Sequence, residues 1–206
     1  MWPSILIVSC IQLFSDERGP RWLCSLTKPL PLLLMATAIL FSSATRTPLA
    51  LWVSSGLLVF ALADSVISLT GDNSRLASAG YLLAHICYVI GFISMVGSVT
   101  WWIPVVIFAL GILTFLLLLP NLERLMVPVL IYLVVIATLG SSSAEYWLSS
   151  QSTSANLAIM GAFMLLLCDL MWARNRFLTS TLLTRQAVLV SYYLAHALLA
   201  WSAIVL

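Results

Sequence analysis

Charge is what this sequence has least of. Of its 206 residues only 8% are charged while 62% are hydrophobic, whereas a soluble globular domain carries roughly a quarter charged residues. So few charges cannot clothe a water-facing surface. The chain also lacks the Lys/Arg clusters interleaved with aromatics that nucleic-acid binding requires, and a formal charge of +2 gives no footing for such a partner. The four cysteines, Cys10, Cys24, Cys87 and Cys168, form no Cys-x-x-Cys pair and are read as small buried hydrophobes. No Gly-x-Ser-x-Gly elbow occurs, and Ser65, Ser94 and Ser191 carry no signature of activation, which disfavours ordinary serine hydrolase chemistry. No basic region precedes the apolar stretch Met1 to Phe14 and no Ala-x-Ala site follows it, so it is read as a retained first helix.

What is present is a series of apolar runs punctuated by charges and prolines, at about 2–15, 29–45, 48–70, 76–97, 101–119, 125–144, 155–173 and 187–206. A helix rising about 1.5 Å per residue crosses a hydrocarbon core of about 30 Å in about 20 residues, and lipid offers backbone groups no partners outside a helix. The expectation is an all-α polytopic membrane protein of eight transmembrane helices. It forms a single domain over 1–206, with possible halves 1–99 and 100–206.

Eight of the nine basic residues fall on one side: Arg18, Arg21 and Lys28, then Arg75, Arg124, and Arg174, Arg176 and Arg185. The positive-inside rule makes that side cytoplasmic and puts both termini outside, in what the composition suggests is a bacterial inner membrane. The halves also look alike. Gly56-Leu-Leu-Val-Phe-Ala-Leu-Ala-Asp64 matches Gly161-Ala-Phe-Met-Leu-Leu-Leu-Cys-Asp169, and Tyr81-Leu-Leu-Ala-His85 matches Tyr192-Tyr-Leu-Ala-His196. Each half has four crossings, so copies would have the same orientation, in a parallel duplication.

Ionisable groups within membrane spans usually face a bundle interior, which makes Asp64, Asp169, His85, His196 and Lys28 the functional candidates. Counted inward from the basic side, Lys28 is expected at the interface, the aspartates about 7 Å in and the histidines roughly 15 Å in. Tyr81, His85, Tyr88 and Phe92 form one helical stripe, and Tyr192 and His196 repeat its first step, so a phenol one turn from an imidazole can hydrogen-bond it. Tyr132 in the sixth segment joins them as a substrate-facing candidate. Other readings stay open: polar glue between helices, a divalent metal held by two His and two Asp without any His-x-x-x-His spacing, or a Cys/His nucleophile, which the roughly 100° between neighbouring helical positions disfavours for Cys168 and Asp169. Glu145, beside Tyr146 and Trp147, is read as an interfacial anchor at the outer boundary.

Lys28-Pro-Leu-Pro-Leu-Leu-Leu, Leu62-Ala-Asp64, Tyr81-Leu-Leu-Ala-His85-Ile-Cys-Tyr88, Asp169 with Asn175-Arg-Phe177, and Tyr192-Tyr-Leu-Ala make an ordered set that resembles the YhhN family of membrane proteins, which includes the lysoplasmalogenases. Ala63 stands where that family typically has Gly, and His196 where Gln is common. The resemblance implies hydrolysis of the vinyl ether of an alkenyl lysophospholipid, releasing a fatty aldehyde and a glycerophospho-ethanolamine or -choline, with no cofactor and no metal. Asp64 and Asp169 would supply acid and anion, as paired carboxylates do for glycosidases, with His85, Tyr88 and Tyr192 orienting water or tuning the pair. Lys28, Tyr81, Tyr132, Asn175 and His196 would contact the membrane-lipid substrate, its phosphate near Lys28, Arg174 or Arg176. A small transporter or proton-coupled carrier is the alternative, since parallel repeats and intramembrane Asp and His also suit carriers.

Overall fold

A computed structural model describes residues 2–43, 47–70 and 75–206. Its helices are α1 (Trp2–Arg18), α2 (Arg21–Thr27), α3 (Leu30–Leu40), α4 (Pro48–Thr70), α5 (Arg75–Ile93), α6 (Trp102–Leu118), α7 (Met126–Ser150), α8 (Thr153–Phe177) and α9 (Leu182–Ile204). Two short 3₁₀ turns, Leu119–Asn121 and Glu123–Leu125, join α6 to α7. Among the described residues seven helical stretches are long and apolar enough to cross a membrane, and the apolar part of α1, Trp2–Asp16, is an eighth, shorter one. The chain is an all-α polytopic membrane protein.

The second span, Trp22–Leu40, is broken into α2 and α3. Pro29 has no N–H to offer the preceding turn, so the ladder is interrupted there. The Lys28 N–H still bonds to the Cys24 carbonyl, and the Leu33 N–H resumes with the Pro29 carbonyl. Lys28, expected at the interface, lies about 9 Å along this apolar stretch from its start at Trp22.

Six helices close a ring in the order α3, α4, α5, α7, α8, α9, with α9 packed back on α3 and touching α4 across the middle. Outside the ring, α1 lies on α3 and α6 lies on α7. Only Ile103 and Leu118 of α6 are buried, which suits a helix whose other faces meet lipid. In lipid no hydrophobic force pulls helices together, so close van der Waals approach of small residues must do so. Ala36, Ala50, Ala61, Ala84, Ala155, Ala158, Ala162, Ala195, Ala200 and Ala203 are accordingly buried in the core.

The tightest pairings, α4 with α5 and α8 with α9, use one device twice. A Cβ on Gly56 would come within 2.7 Å of the Tyr88 ring and 3.1 Å of the Ala84 carbonyl, and one on Gly161 within 2.9 Å of the Leu199 side chain and 3.1 Å of the Ala195 carbonyl. These positions correspond in the internal sequence match. Ala63, the departure from Gly, rests its methyl against Gly80, where a Cβ would come within 3.0 Å of it.

Helix α7 runs on to Ser150, past the end expected at 144. Glu145, Tyr146 and Trp147 were expected to mark the boundary, but the helix continues through them, and within it Ser141, Ser142 and Ser143 donate to the carbonyls of Ala137, Leu139 and Gly140. Gln151, at φ 46°, ends it in the left-handed region, and the Ser152 hydroxyl caps α8 by accepting from the Ala155 N–H. Glu145 is consequently not an exposed anchor. It is buried, and its Oε1 accepts from the Thr100 N–H at 2.7 Å in the α5–α6 connection.

Candidate functional site

Most of the predicted polar residues converge inside the ring. On α4, Asp64 is fully buried, and every described partner of its carboxylate is a donor. The Tyr81 hydroxyl of α5 donates to Oδ1 at 2.6 Å, and the Tyr192 hydroxyl of α9 to Oδ2 at 3.0 Å. The Lys28 ammonium stands 3.7 Å from Oδ1. The Tyr193 hydroxyl donates to the Lys28 carbonyl at 3.1 Å, which ties the break in the second span to α9.

On α8, Asp169 is the more open carboxylate, its side chain 14% exposed. The Tyr132 hydroxyl of α7 donates to Oδ1 at 3.1 Å, and Oδ2 lies 3.1 Å from His85 Nε2 on α5. The other ring nitrogen of His85 is 2.8 Å from the Tyr81 carbonyl. A carbonyl can only accept, so Nδ1 carries a hydrogen. The Nε2–Oδ2 contact then needs one further proton, shared between imidazole and carboxyl.

The polar groups thus run in sequence: Lys28, Asp64, Tyr81, His85, Asp169, Tyr132. Tyr81 serves two partners, with its phenol on Asp64 and its carbonyl on His85. The phenol does not bond the imidazole one turn away, because the carbonyl four residues back is already within reach of Nδ1. His196 repeats that local bond, its Nδ1 donating to the Tyr192 carbonyl at 2.7 Å.

Three predicted residues stand apart from the aspartates. Tyr88 and His196 are fully buried, and among the described residues neither Tyr88 Oη nor His196 Nε2 has a hydrogen-bond partner. Asn175, half-buried in the last turn of α8, likewise leaves its Oδ1 without one. The depth of His85 matches expectation, and those of the aspartates and His196 are greater. Measured from the basic-side helix ends, Asp64 lies about 9 Å in, Asp169 about 12 Å, His85 about 15 Å and His196 about 21 Å. Helices α8 and α9 extend further towards that side than the apolar runs suggested.

Phe60 is the functional-site residue that sequence reading missed. Its ring centroid lies 5.0 Å from that of His85, 4.5 Å from His196, 5.6 Å from Tyr88 and 6.0 Å from Tyr192. It sits one turn before Asp64 on the same face, which is the signal that was available.

The remaining candidates do other work. Cys168 points at the Val188 carbonyl, 3.4 Å away; the hydroxyls of Ser65 and Ser191 bond to carbonyls within their own helices, and that of Ser94, just past α5, bonds to the Gly91 carbonyl in the last turn of α5. All four cysteines are free; Cys87 and Cys168 are buried as expected, but Cys10 is exposed and Cys24 half-buried. Among the described residues no three His, Cys, Asp or Glu side chains converge as metal ligands would.

A ring of membrane-length helices closed around buried carboxylates, imidazoles and phenols defines a polytopic membrane protein with an intramembrane polar site. The YhhN family model matches residues 23–203, and the chain belongs to that family. It is 24% identical over 202 residues to proteins named uncharacterized membrane protein YhhN from Escherichia coli O6:H1, Escherichia coli O157:H7 and Shigella flexneri, covering 97% of this chain and 97% of each of them. No solved structure matches.

Proposed function

We propose that the protein is an intramembrane hydrolase that cleaves the vinyl ether of alkenyl lysophospholipids to a fatty aldehyde and a glycerophospho-ethanolamine or -choline. The observation that carries this reading is the division of labour between the two carboxylates. Asp169 is paired with the His85 imidazole at 3.1 Å, while Asp64 is met by two phenol donors and an ammonium.

Vinyl ether hydrolysis needs both. A proton must reach the β carbon, which leaves an oxocarbenium ion at the carbon bonded to the ether oxygen, and fixed negative charge beside that ion lowers the barrier. The His85–Asp169 pair would deliver the proton, and Asp64 would be the anion. Tyr132 and Tyr81 orient the two carboxylates. Lys28, 23% exposed at its side chain, and the exposed Arg174 and Arg176 suit the lipid phosphate.

Purified protein in detergent should release aldehyde from a panel of alkenyl lysolipids, and Asp169→Asn and Asp64→Asn should each abolish release. A wild type that turns over none of them removes the hydrolase reading. Transport of a solute or proton by the protein in sealed vesicles, without aldehyde release, would favour a carrier.

The site lies towards the ends of the spans that carry the basic residues. We propose that these ends face the cytoplasm across a bacterial inner membrane, with both termini outside. Labelling of single cysteines introduced at 152 and at 180 with an impermeant thiol reagent should then mark the first and spare the second in intact cells, in a background where the four native cysteines are serine.

A further inference from the structure

Two buried polar atoms take no part in the acid and anion network. Among the described residues Tyr88 Oη and His196 Nε2 have no hydrogen-bond partner, and both residues are 0% exposed. Leaving such a group dry costs about 1–3 kcal/mol, so two within one ring cluster point to a shared ligand. Their rings lie 6.0 Å apart at 55°, and both pack on Phe60.

The hydrogen-bonding roles are fixed. His196 Nδ1 donates to the Tyr192 carbonyl, so in the neutral ring Nε2 is a bare lone pair. Tyr88 offers a hydroxyl proton. A ligand between them must therefore donate to one and accept from the other, which is what a buried water does with its two to four polar partners. Gly56 holds the Tyr88 ring in place, since a Cβ there would run into it.

We propose that Tyr88 and His196 hold one water molecule, and that this water captures the oxocarbenium ion. The catalytic part of this inference rests on the hydrolase reading above. Phe60 touches His85 and His196 alike, so the proton donor and the water flank one aromatic ring. In the first step the His85–Asp169 pair transfers its proton to the β carbon. The water oxygen then bonds to the carbon bearing the ether oxygen, and its proton passes to His196 Nε2. The resulting hemiacetal loses its hydroxyl proton to the His85–Asp169 pair as its bond to the glycerol oxygen breaks and the aldehyde forms. His196 returns its proton to that glycerol oxygen. One water is consumed, and both proton sites are restored.

The test has two arms. Without lipid, Tyr88→Phe should lower Tm in detergent by about 2–4 °C, the shift expected when a water loses a partner in a chain of this size. Tyr88→Phe and His196→Leu together should shift Tm by less than the sum of the two. A rise in Tm for Tyr88→Phe means the hydroxyl was merely dry and overturns the water site, as does strict additivity. In the second arm, alkenyl lysolipid is turned over in heavy water. Slow capture lets the cation revert, so Tyr88→Phe and His196→Leu should leave deuterium at the β carbon of recovered substrate, where the wild type leaves none. Unchanged turnover without exchange in both variants overturns the water's role as nucleophile. A wild type inactive on every lipid overturns the hydrolase reading, and the Tm arm still decides the water site.

Discussion

His85 on α5 and Asp169 on α8 meet across the helix ring, Nε2 to Oδ2 at 3.1 Å, and share one proton because His85 Nδ1 is already committed to the Tyr81 carbonyl. If that proton is the one delivered to substrate, His85→Gln should lower kcat about 10²-fold or more. Asp169→Asn should match it, with little change in KM for either. Steady-state aldehyde release measures both. A role confined to holding α5 against α8 predicts lost thermal stability with kcat kept in the protein that stays folded.

Asp64 presents the opposite case, an acceptor surrounded by donors. Asp64→Ala removes the acceptor of the Tyr81 and Tyr192 hydroxyls and the partner of the Lys28 ammonium, and should cost about 1–3 kcal/mol. Tyr81→Phe with Asp64→Ala should then cost less than the sum of the single changes. Thermal unfolding in detergent, arranged as a double-mutant cycle, gives the coupling directly.

The glycine seats give a graded test of packing. Gly56→Ala pushes a methyl into the Tyr88 ring, and Gly161→Ala pushes one to 2.9 Å from Leu199. Overpacking of this kind costs typically about 1–3 kcal/mol. Gly56→Ala should be the worse, because the approach to the Tyr88 ring is the closer one and that ring is wedged among other aromatic rings. Gly111→Ala, in the middle of α6 with its nearest neighbour 3.8 Å away, should leave Tm unlowered or raise it by a few degrees.

Glu145 offers a test away from the site. Its carboxylate accepts the Thr100 N–H at 2.7 Å in a buried position. Glu145→Gln keeps an acceptor and should be nearly neutral, whereas Glu145→Ala orphans that N–H and should cost about 1–3 kcal/mol. An exposed anchor would make both changes neutral. Melting temperatures of the two variants separate the cases.

Much of the fold was legible in the sequence, because a bilayer leaves the backbone almost no choice: with no water to bond to, each long apolar run must be a helix. That argument depends only on local composition, and it held for the number and order of the apolar segments. It failed at ends where polarity misleads, as at Glu145, which was expected beyond the end of a helix that runs on to Ser150.

The candidate residues were legible for a related reason, the cost of an ionisable side chain in hydrocarbon, which singles out Asp64, Asp169, His85, His196 and Lys28 without any contact being known. Partner choice was another matter. Tyr192 reaches Asp64 from 128 positions away and His85 reaches Asp169 from 84, and no local periodicity encodes those distances. The helical stripe suggested that Tyr81 served His85; closure of the ring gave its phenol to Asp64. Ring closure also left Tyr88 and His196 without partners, and it set Phe60 among them. Composition and spacing determined which groups are too costly to be idle, since that is a property of each residue in lipid. Only the tertiary structure decided which carboxylate shares a proton and which is ringed by donors, because that depends on which helix faces meet.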